Sequence, residues 1–223
     1  MKKISPFILL LAALFLTGCS SFKIIKSYKS DSVYTMQDKN ILVVGRSTKK
    51  DVRMAYEDAI TKKLVASGYK ATASYKKYPD FKPNTKVSDD QKQHIRTILE
   101  KDGYNGVVLT LLKDIVVNSR EVGAEQYDAA VIYGGASMPS VYGGFYAYWD
   151  LPGSYSVDQV ALKQEGTTIT SKLYTLETVI YNLDKEDGEQ LEAWITASIE
   201  NPDNVINTAT AYANSIAKGF KGK

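Results

Sequence analysis

The chain has 223 residues, of which 44% are hydrophobic and 24% are charged, a length and composition sufficient for one domain with a sizeable core. Its formal net charge of +3 includes Lys2 and Lys3, which lie in a predicted signal peptide. The chain without that peptide carries about +1, so nucleic-acid binding has no electrostatic support. Cys19 is the only cysteine, which excludes a disulfide within the chain.

Residues 1–18 have the layout of a secretory signal peptide. Lys2 and Lys3 supply its positive region, and residues 7–16 supply an apolar run too short to span a bilayer as a helix. No later apolar segment approaches membrane length.

Residues 16–21, "LTGCSS", resemble the lipobox of bacterial lipoproteins. The resemblance implies a diacylglycerol on the Cys19 sulfur, cleavage before Cys19, and an N-acyl chain such as palmitate on the new amino terminus. Several acyl chains exceed what stable membrane anchoring needs. Because Ser20 is not aspartate, Gram-negative sorting favours the outer membrane, with the protein facing the periplasm. The alternative is an ordinary signal peptide with a chance cysteine.

A polar stretch rich in Ser and Lys follows the lipobox, and we interpret residues 19–39 as the lipidated cysteine and a flexible tether. The periplasmic domain is expected over residues 40–220. "NILVVG" (40–45) predicts a buried strand, and apolar periodicity predicts a helix from Lys49 to Ser67. "YKATASY" (69–75) predicts a second strand.

Ser88 and Gln91 form a capping-box pattern at the start of a second helix, and the strand "GVVLTLLKDIVV" (106–117) follows it. The order strand, helix, strand, helix, strand indicates βαβ crossovers and parallel pairing. Two strand patterns around "DKEDG" (184–188) predict a β-hairpin, and Asn201 with Pro202 predicts the start of a last helix. The expected fold class is α/β, one domain with a mixed sheet, in which a βαβαβ half precedes a β-hairpin and a C-terminal helix.

Four stretches carry a resemblance to uncharacterised bacterial envelope lipoproteins, catalogued as domains of unknown function: "ILVVG", "ASGYKATASYKKYPD", "DGYNGVVLTLL" and "TLETVIYNLDKEDGEQLEAW". The order of elements is also loosely similar to the periplasmic domains of curli-secretion lipoproteins and penicillin-binding-protein activator lipoproteins. The resemblance implies a location and a fold, and it carries over no catalytic residue.

Residues 131–157 form a segment rich in Tyr and Gly, inserted between the two halves. Aromatic side chains suit contact surfaces because they bury much area and keep a polar tip. We therefore assign a partner-binding role to the aromatic residues Tyr142, Phe145, Tyr146, Tyr148 and Trp149. The alternative is an insertion folded over the domain's own core.

A second candidate site is the turn "VVGRSTKKD", where Arg46, Ser47 and Thr48 lie between a strand and a helix N-terminus that can bind an anion. It matches no nucleotide-binding motif, and an ordinary strand-to-helix turn is the alternative. "DKEDGE" lacks the spacing of an EF-hand, and His94 is the only histidine. We predict no catalytic residue, no metal and no cofactor other than the acyl chains on Cys19.

These observations favour a lipid-anchored envelope lipoprotein that works as a non-enzymatic binding or assembly module. Its expected partners are the membrane, through the anchor, and another envelope protein or a peptidoglycan component, but not nucleic acid. The alternative is a small anionic ligand bound in the groove at the strand ends near residues 45–50. A hydrolase that uses carboxylates is a third hypothesis.

Overall fold

The computed structural model describes residues 22–47, 49–83, 88–121, 128–133, 141–149, 168–202 and 204–220. The signal peptide and Cys19 lie outside the described residues. The strands are β1 (Lys23–Lys29), β2 (Asn40–Arg46), β3 (Lys70–Ala73), β4 (Gly106–Glu121), β5 (Asp128–Tyr133), β6 (Thr168–Asn182) and β7 (Leu191–Glu200). The helices are α1 (Lys50–Ala66), α2 (Ser74–Lys77), α3 (Asp89–Lys101), α4 (Phe145–Trp149) and α5 (Val205–Phe220), with 3-10 helices at Val33–Asp38 and Val141–Gly143.

The strands form one seven-stranded mixed sheet in the order β1-β7-β6-β4-β2-β3, and β5 pairs with β4. β2 pairs in parallel with β3 and with β4, as the βαβαβ prediction requires. β4 pairs antiparallel with β6, and β6 antiparallel with β7, so the predicted hairpin is confirmed. The predicted α/β fold with a mixed sheet and a C-terminal helix is therefore confirmed.

Local signals predicted one helix start and missed another. The capping box of α3 is confirmed, because Gln91 N donates to Ser88 Oγ at 3.3 Å and Ser88 N donates to Gln91 Oε1 at 2.8 Å. The start predicted at Asn201 is wrong, because Asn201 has a φ of 44° and its side chain accepts a hydrogen bond from Lys172 N at 2.8 Å. Asn204 caps α5 instead, accepting from Asn207 N at 3.0 Å.

The tether predicted over residues 19–39 is wrong from residue 22 onward. Phe22 packs on Tyr212 at 5.0 Å between ring centroids, and the next seven residues form β1, which pairs antiparallel with β7. Val33 and Met36, on the 3-10 helix after β1, are buried in the core. The composition was misleading because every residue of β1 is exposed, and backbone pairing rather than side-chain burial holds this strand.

Two hydrophobic clusters fill the two faces of the sheet. On one face α1 and α5 cover a cluster that includes Ile60, Leu64, Tyr212 and Ile216. On the other face α3 and α4 cover a cluster that includes Leu99, Tyr148 and Trp149. No helix among the described residues is long and apolar enough to cross a membrane.

Candidate functional site

Two helices begin at the same end of the sheet, beyond the carboxyl ends of β2 and β7. β7 is antiparallel to β6, which is antiparallel to β4, and β4 is parallel to β2, so β2 and β7 run in the same direction. α1 begins after β2 and α5 begins after β7, and the two helices pack against each other. Their N-termini therefore lie side by side, and both ends carry a partial positive charge.

A cavity of about 290 Å³ lies at this end of the strands, which is the place that the sequence predicted for a ligand groove. Its walls combine apolar, hydroxyl, amide and basic side chains from both helix starts and from β4, β6 and β7. The lining residues are Arg46, Ser47, Lys49, Val52, Arg53, Tyr56, Thr110, Leu111, Leu112, Tyr174, Leu176, Ile199, Pro202, Asn204, Val205 and Thr208. Among these described residues none is acidic, so the cavity favours a neutral or anionic guest.

The structure separates the predicted anion-binding residues by role. Arg46 is buried, its Nη1 donates to the Trp149 carbonyl at 3.1 Å, and its guanidinium lies 5.6 Å from the centre of the Trp149 ring, so it links the cavity edge to α4. Ser47 Oγ accepts from Lys49 N at 3.1 Å, which fixes the turn. Thr48 lies outside the described residues.

A buried ion pair that the sequence analysis did not single out forms the base of this turn. Glu57 Oε1 accepts hydrogen bonds from Arg53 Nε at 2.8 Å, from Ser74 Oγ at 2.8 Å and from Gly45 N at 3.0 Å. Its other oxygen accepts from Tyr75 N at 2.8 Å. Glu57 therefore balances the charge of Arg53 and ties β2, α1 and α2 together. The i,i+4 spacing of Arg53 and Glu57 was the available signal, although it gave no hint of burial.

Hydroxyl groups supply much of the remaining polar character of the cavity. Thr110 Oγ1 shares a hydrogen bond with Thr178 at 2.7 Å, whereas Thr208 Oγ1 is buried and has no hydrogen-bond partner among the described residues. Burial raises the pKa of Tyr174, and the nearby charge of Lys49 offsets part of that rise. The cavity thus combines side chains that carry hydroxyl groups, and a nearby cation, with apolar walls.

The predicted aromatic contact surface is corrected for three of its five residues. Phe145, Tyr148 and Trp149 are each at most 2% exposed and pack into the domain's own core. Phe145 N donates to Gln190 Oε1 at 3.0 Å, and the Tyr148 hydroxyl donates to buried Glu177. The cause is that α4 lies flat on the sheet, so the alternative of an insertion folded over the core describes these residues.

The other two predicted aromatics reach the surface. Tyr142 is 55% exposed, and its ring lies 6.1 Å from that of Tyr28 on β1 in an edge-on arrangement. Tyr146 is half-buried, with the Arg96 guanidinium 4.5 Å from its ring centre. Residues 134–140 and 150–157 of the predicted insertion lie outside the described residues.

The acidic turn between β6 and β7 makes contacts with neighbouring elements. Asp184 pairs with Lys39, and Asp187 pairs with Arg96 at 3.0 Å. No group of three metal-ligating side chains occurs in the part of the chain that the structure describes. His94 is exposed on α3.

Comparisons with known proteins find distant structural likenesses. No known protein family and no curated protein matches the sequence. One similar solved structure is a PelC dodecamer from Paraburkholderia phytofirmans, with 7% identity, a TM-score of 0.43, and coverage of 91% of this chain and 99% of that chain. Another is a DUF4136 family protein from Bacteroides thetaiotaomicron, with 9% identity, a TM-score of 0.39 and the same coverage of both chains. Neither likeness is close enough to assign a family or a function.

Proposed function

We propose that this protein is a lipid-anchored lipoprotein of the bacterial envelope, held at the outer membrane and facing the periplasm, and that its domain is a non-enzymatic binding module. The lipobox-like "LTGCSS" supports the anchor. Only two residues, Ser20 and Ser21, lie between Cys19 and Phe22, which packs on the domain, so the Cα atoms of Cys19 and Phe22 are at most about 11 Å apart. An acylated Cys19 would therefore hold the start of β1 beside the leaflet.

The observation that carries the binding role is the open edge of β1. β1 ends the sheet and pairs only with β7 among the described strands, so the backbone groups on its other side are open to an added strand. Ile24 and Ile25 are each more than 40% exposed there. The exposed pair of Tyr28 and Tyr142 adds an aromatic contact beside this edge.

The chemistry of β1 favours an extended segment of another envelope protein as the partner. Lys23, Lys26 and Lys29 are exposed along the strand, and the register shifts between Ile24 and Lys26. Lysines and a bulge discourage pairing of this edge with itself, whereas a partner with acidic side chains would complement the charge. A glycan strand or the lipid surface is the competing occupant.

Photocrosslinking in the native cell tests this role. A photoreactive phenylalanine analogue at Tyr142 or Tyr28 should form an adduct with the same protein, and the adduct from position 28 should be lost in Tyr142→Ala. Tyr34 is the matched control, because it is 72% exposed and is not part of the aromatic pair. An identical adduct pattern at Tyr34, or adducts with lipid or glycan only, would contradict a protein partner at β1.

A second candidate function is the binding of a small anion at the strand-end cavity, and the observation that favours it is the cavity itself. It lies beside two helix N-termini and has no acidic side chain among its described lining residues. A thermal-shift panel of inorganic phosphate, acetate and benzoate tests it. Stabilisation by at least one anion is expected, and stabilisation by none would remove this candidate.

A further inference from the structure

We infer that the domain rests on the lipid leaflet through one end of its sheet, where β1 and α5 begin, and that exposed aliphatic side chains of these two starts contact the lipid. The side chains are those of Ile24, Ile25, Val205 and Ile206, which we call the aliphatic end surface. This inference rests on the lipid anchor proposed above and adds the surface of the domain that meets the membrane.

The starts of β1 and α5 lie at the same end of the sheet. β1 is antiparallel to β7, and Lys23 at the start of β1 pairs with Ser198 near the end of β7. α5 begins at Val205, shortly after β7 ends. Phe22 and Tyr212 join the two elements directly, at 5.0 Å between ring centroids. Because Tyr212 is about 10 Å along the helix from Val205, both starts lie close enough to contact one flat surface.

Aliphatic side chains are concentrated at this end of the sheet. Ile24, Ile25 and Val205 are 44%, 49% and 38% exposed, and Ile206 is 70% exposed. Single exposed apolar residues are normal, but these four come from two elements that contact each other. Burial in the boundary between headgroups and acyl chains would remove their apolar surface from water, which is favourable.

The position of the anchor identifies the lipid leaflet as the occupant of this surface. The chain enters β1 from this end, and the Cα atom of Cys19 is at most about 11 Å from that of Phe22. Acyl chains on Cys19 would therefore keep the aliphatic end surface beside the lipid at a high effective concentration. Lys23 and Lys26 are exposed beside the two isoleucines, and their ammonium groups suit anionic headgroups.

The contact is shallow and leaves most of the β1 edge in the periplasm. Open backbone groups of an edge strand need water or headgroups as hydrogen-bond partners, so the start of β1 does not enter the hydrocarbon core. The strand runs away from the leaflet, and Tyr28 lies about 13 Å farther along it than Ile24. The pair of Tyr28 and Tyr142 thus remains open to the protein partner proposed above.

Quenching by brominated lipid tests the inference on the full acylated protein, in vesicles of phosphatidylcholine brominated on its acyl chains. A fluorescent amino acid with a naphthalene side chain replaces Ile25 or Ile206. The control positions are Tyr34 and Val65, which are exposed at the opposite end of the sheet. Brominated lipid should lower the emission about twofold or more at positions 25 and 206 and leave it nearly unchanged at 34 and 65. Equal quenching at all four positions would overturn the inference.

Flotation of the same vesicles separates this inference from the proposed anchor. Protein that floats with the vesicles but shows no quenching at positions 25 and 206 would overturn the aliphatic end surface and leave the anchor in place. Protein that does not float would overturn both.

Two matched variants test whether the start of α5 takes part in the contact. Ile206→Glu places a carboxylate on the aliphatic end surface, so quenching of a probe at position 25 should fall about twofold. Val65→Glu makes a comparable change on α1 at the opposite end and should leave this quenching unchanged. Both side chains are more than half exposed, so both variants should fold, which their melting temperatures check. Unchanged quenching in Ile206→Glu would overturn the contribution of α5.

Discussion

Tyr148 of α4 donates a hydrogen bond to Glu177 of β6, and both side chains are buried. Glu177 also accepts from Lys113 Nζ at 2.7 Å and from Thr196 Oγ1 at 2.9 Å. Burial and the adjacent Glu177 carboxylate raise the pKa of Tyr148, so the phenol stays protonated and keeps donating. This contact holds α4 on the sheet.

Tyr148→Phe should therefore destabilise the domain. The change leaves one acceptor site of a buried carboxylate unfilled, and the expected loss is about 1–3 kcal/mol in the free energy of unfolding. Urea denaturation of the variant and the unaltered protein measures it. Tyr34→Phe is the control, since Tyr34 is 72% exposed, and it should change stability by less than about 0.5 kcal/mol. Equal stability of both variants would contradict a structural role for the hydroxyl.

The sequence predicted the elements whose side chains are buried and missed those that depend on backbone or distant contacts. Apolar runs identified β2 and β4, because a strand covered on both faces has few polar residues. β1 has exposed side chains on both faces and gave no such pattern. Only its pairing with β7, far along the chain, makes it a strand.

The sequence predicted where the strand-end cavity lies, but not all of the residues that line it. The strand-to-helix rule located the cavity beside residues 45–50, since it depends only on the order of elements. The contribution of α5, with Thr208, required the β6–β7 hairpin to bring a distant helix to the same end of the sheet. The sequence equally could not show that the side chains of Phe145 and Trp149 are buried rather than exposed. One sign was available: Glu177 lies within the apolar run "LETVIY", and a carboxylate buried there needs a hydrogen-bond donor packed over it.

Glu57→Ala should be among the most destabilising changes at the strand-end turn. It leaves buried Arg53 without its counter-charge and removes the acceptor for Gly45 N, and breaking a buried ion pair in this way costs about 3–5 kcal/mol. Asp58→Ala is the neighbouring control, because the Asp58 pair with Lys76 is exposed and is worth at most about 1 kcal/mol. Chemical denaturation should rank the two variants in this order, and the reverse order would show that the buried pair is dispensable.

Glu192 predicts how the attachment of β1 responds to pH. Burial alone would raise the pKa of Glu192, but hydrogen bonds from Lys185, Ser30 and Ser32 hold it below the ordinary value of 4.5. The pKa of Glu192 is therefore lower in the folded than in the unfolded protein. Its ionised side chain contributes fully to stability above the unfolded-state pKa, and this contribution is lost as the pH falls through the folded-state pKa.

Glu192→Gln should therefore lower the free energy of unfolding at pH 7. The gap, which is the difference in this free energy between the variant and the unaltered protein, should narrow below about pH 4.5. Denaturation curves at a series of pH values measure the gap. Glu186→Gln, at an exposed position of the nearby turn, should show no such narrowing. A gap that stays constant from pH 7 to pH 3 would contradict the assignment.

Cys19→Ala should release the protein from the membrane, since it removes the sulfur that the lipobox-like sequence offers for acylation. Mass spectrometry of the unaltered protein from its native cell should show an amino terminus at Cys19 with three acyl chains, and fractionation should place the variant among the soluble proteins. Ser21→Ala should leave both the mass of the lipid and the membrane fraction unchanged.

Because the link from Cys19 to the folded residue Phe22 is so short, a Gly-Ser insertion after Ser21 should also weaken the crosslinks at Tyr28 by releasing β1 from the leaflet. A free thiol at Cys19, or an amino terminus at another position, would remove the anchor and this dependence on linker length together.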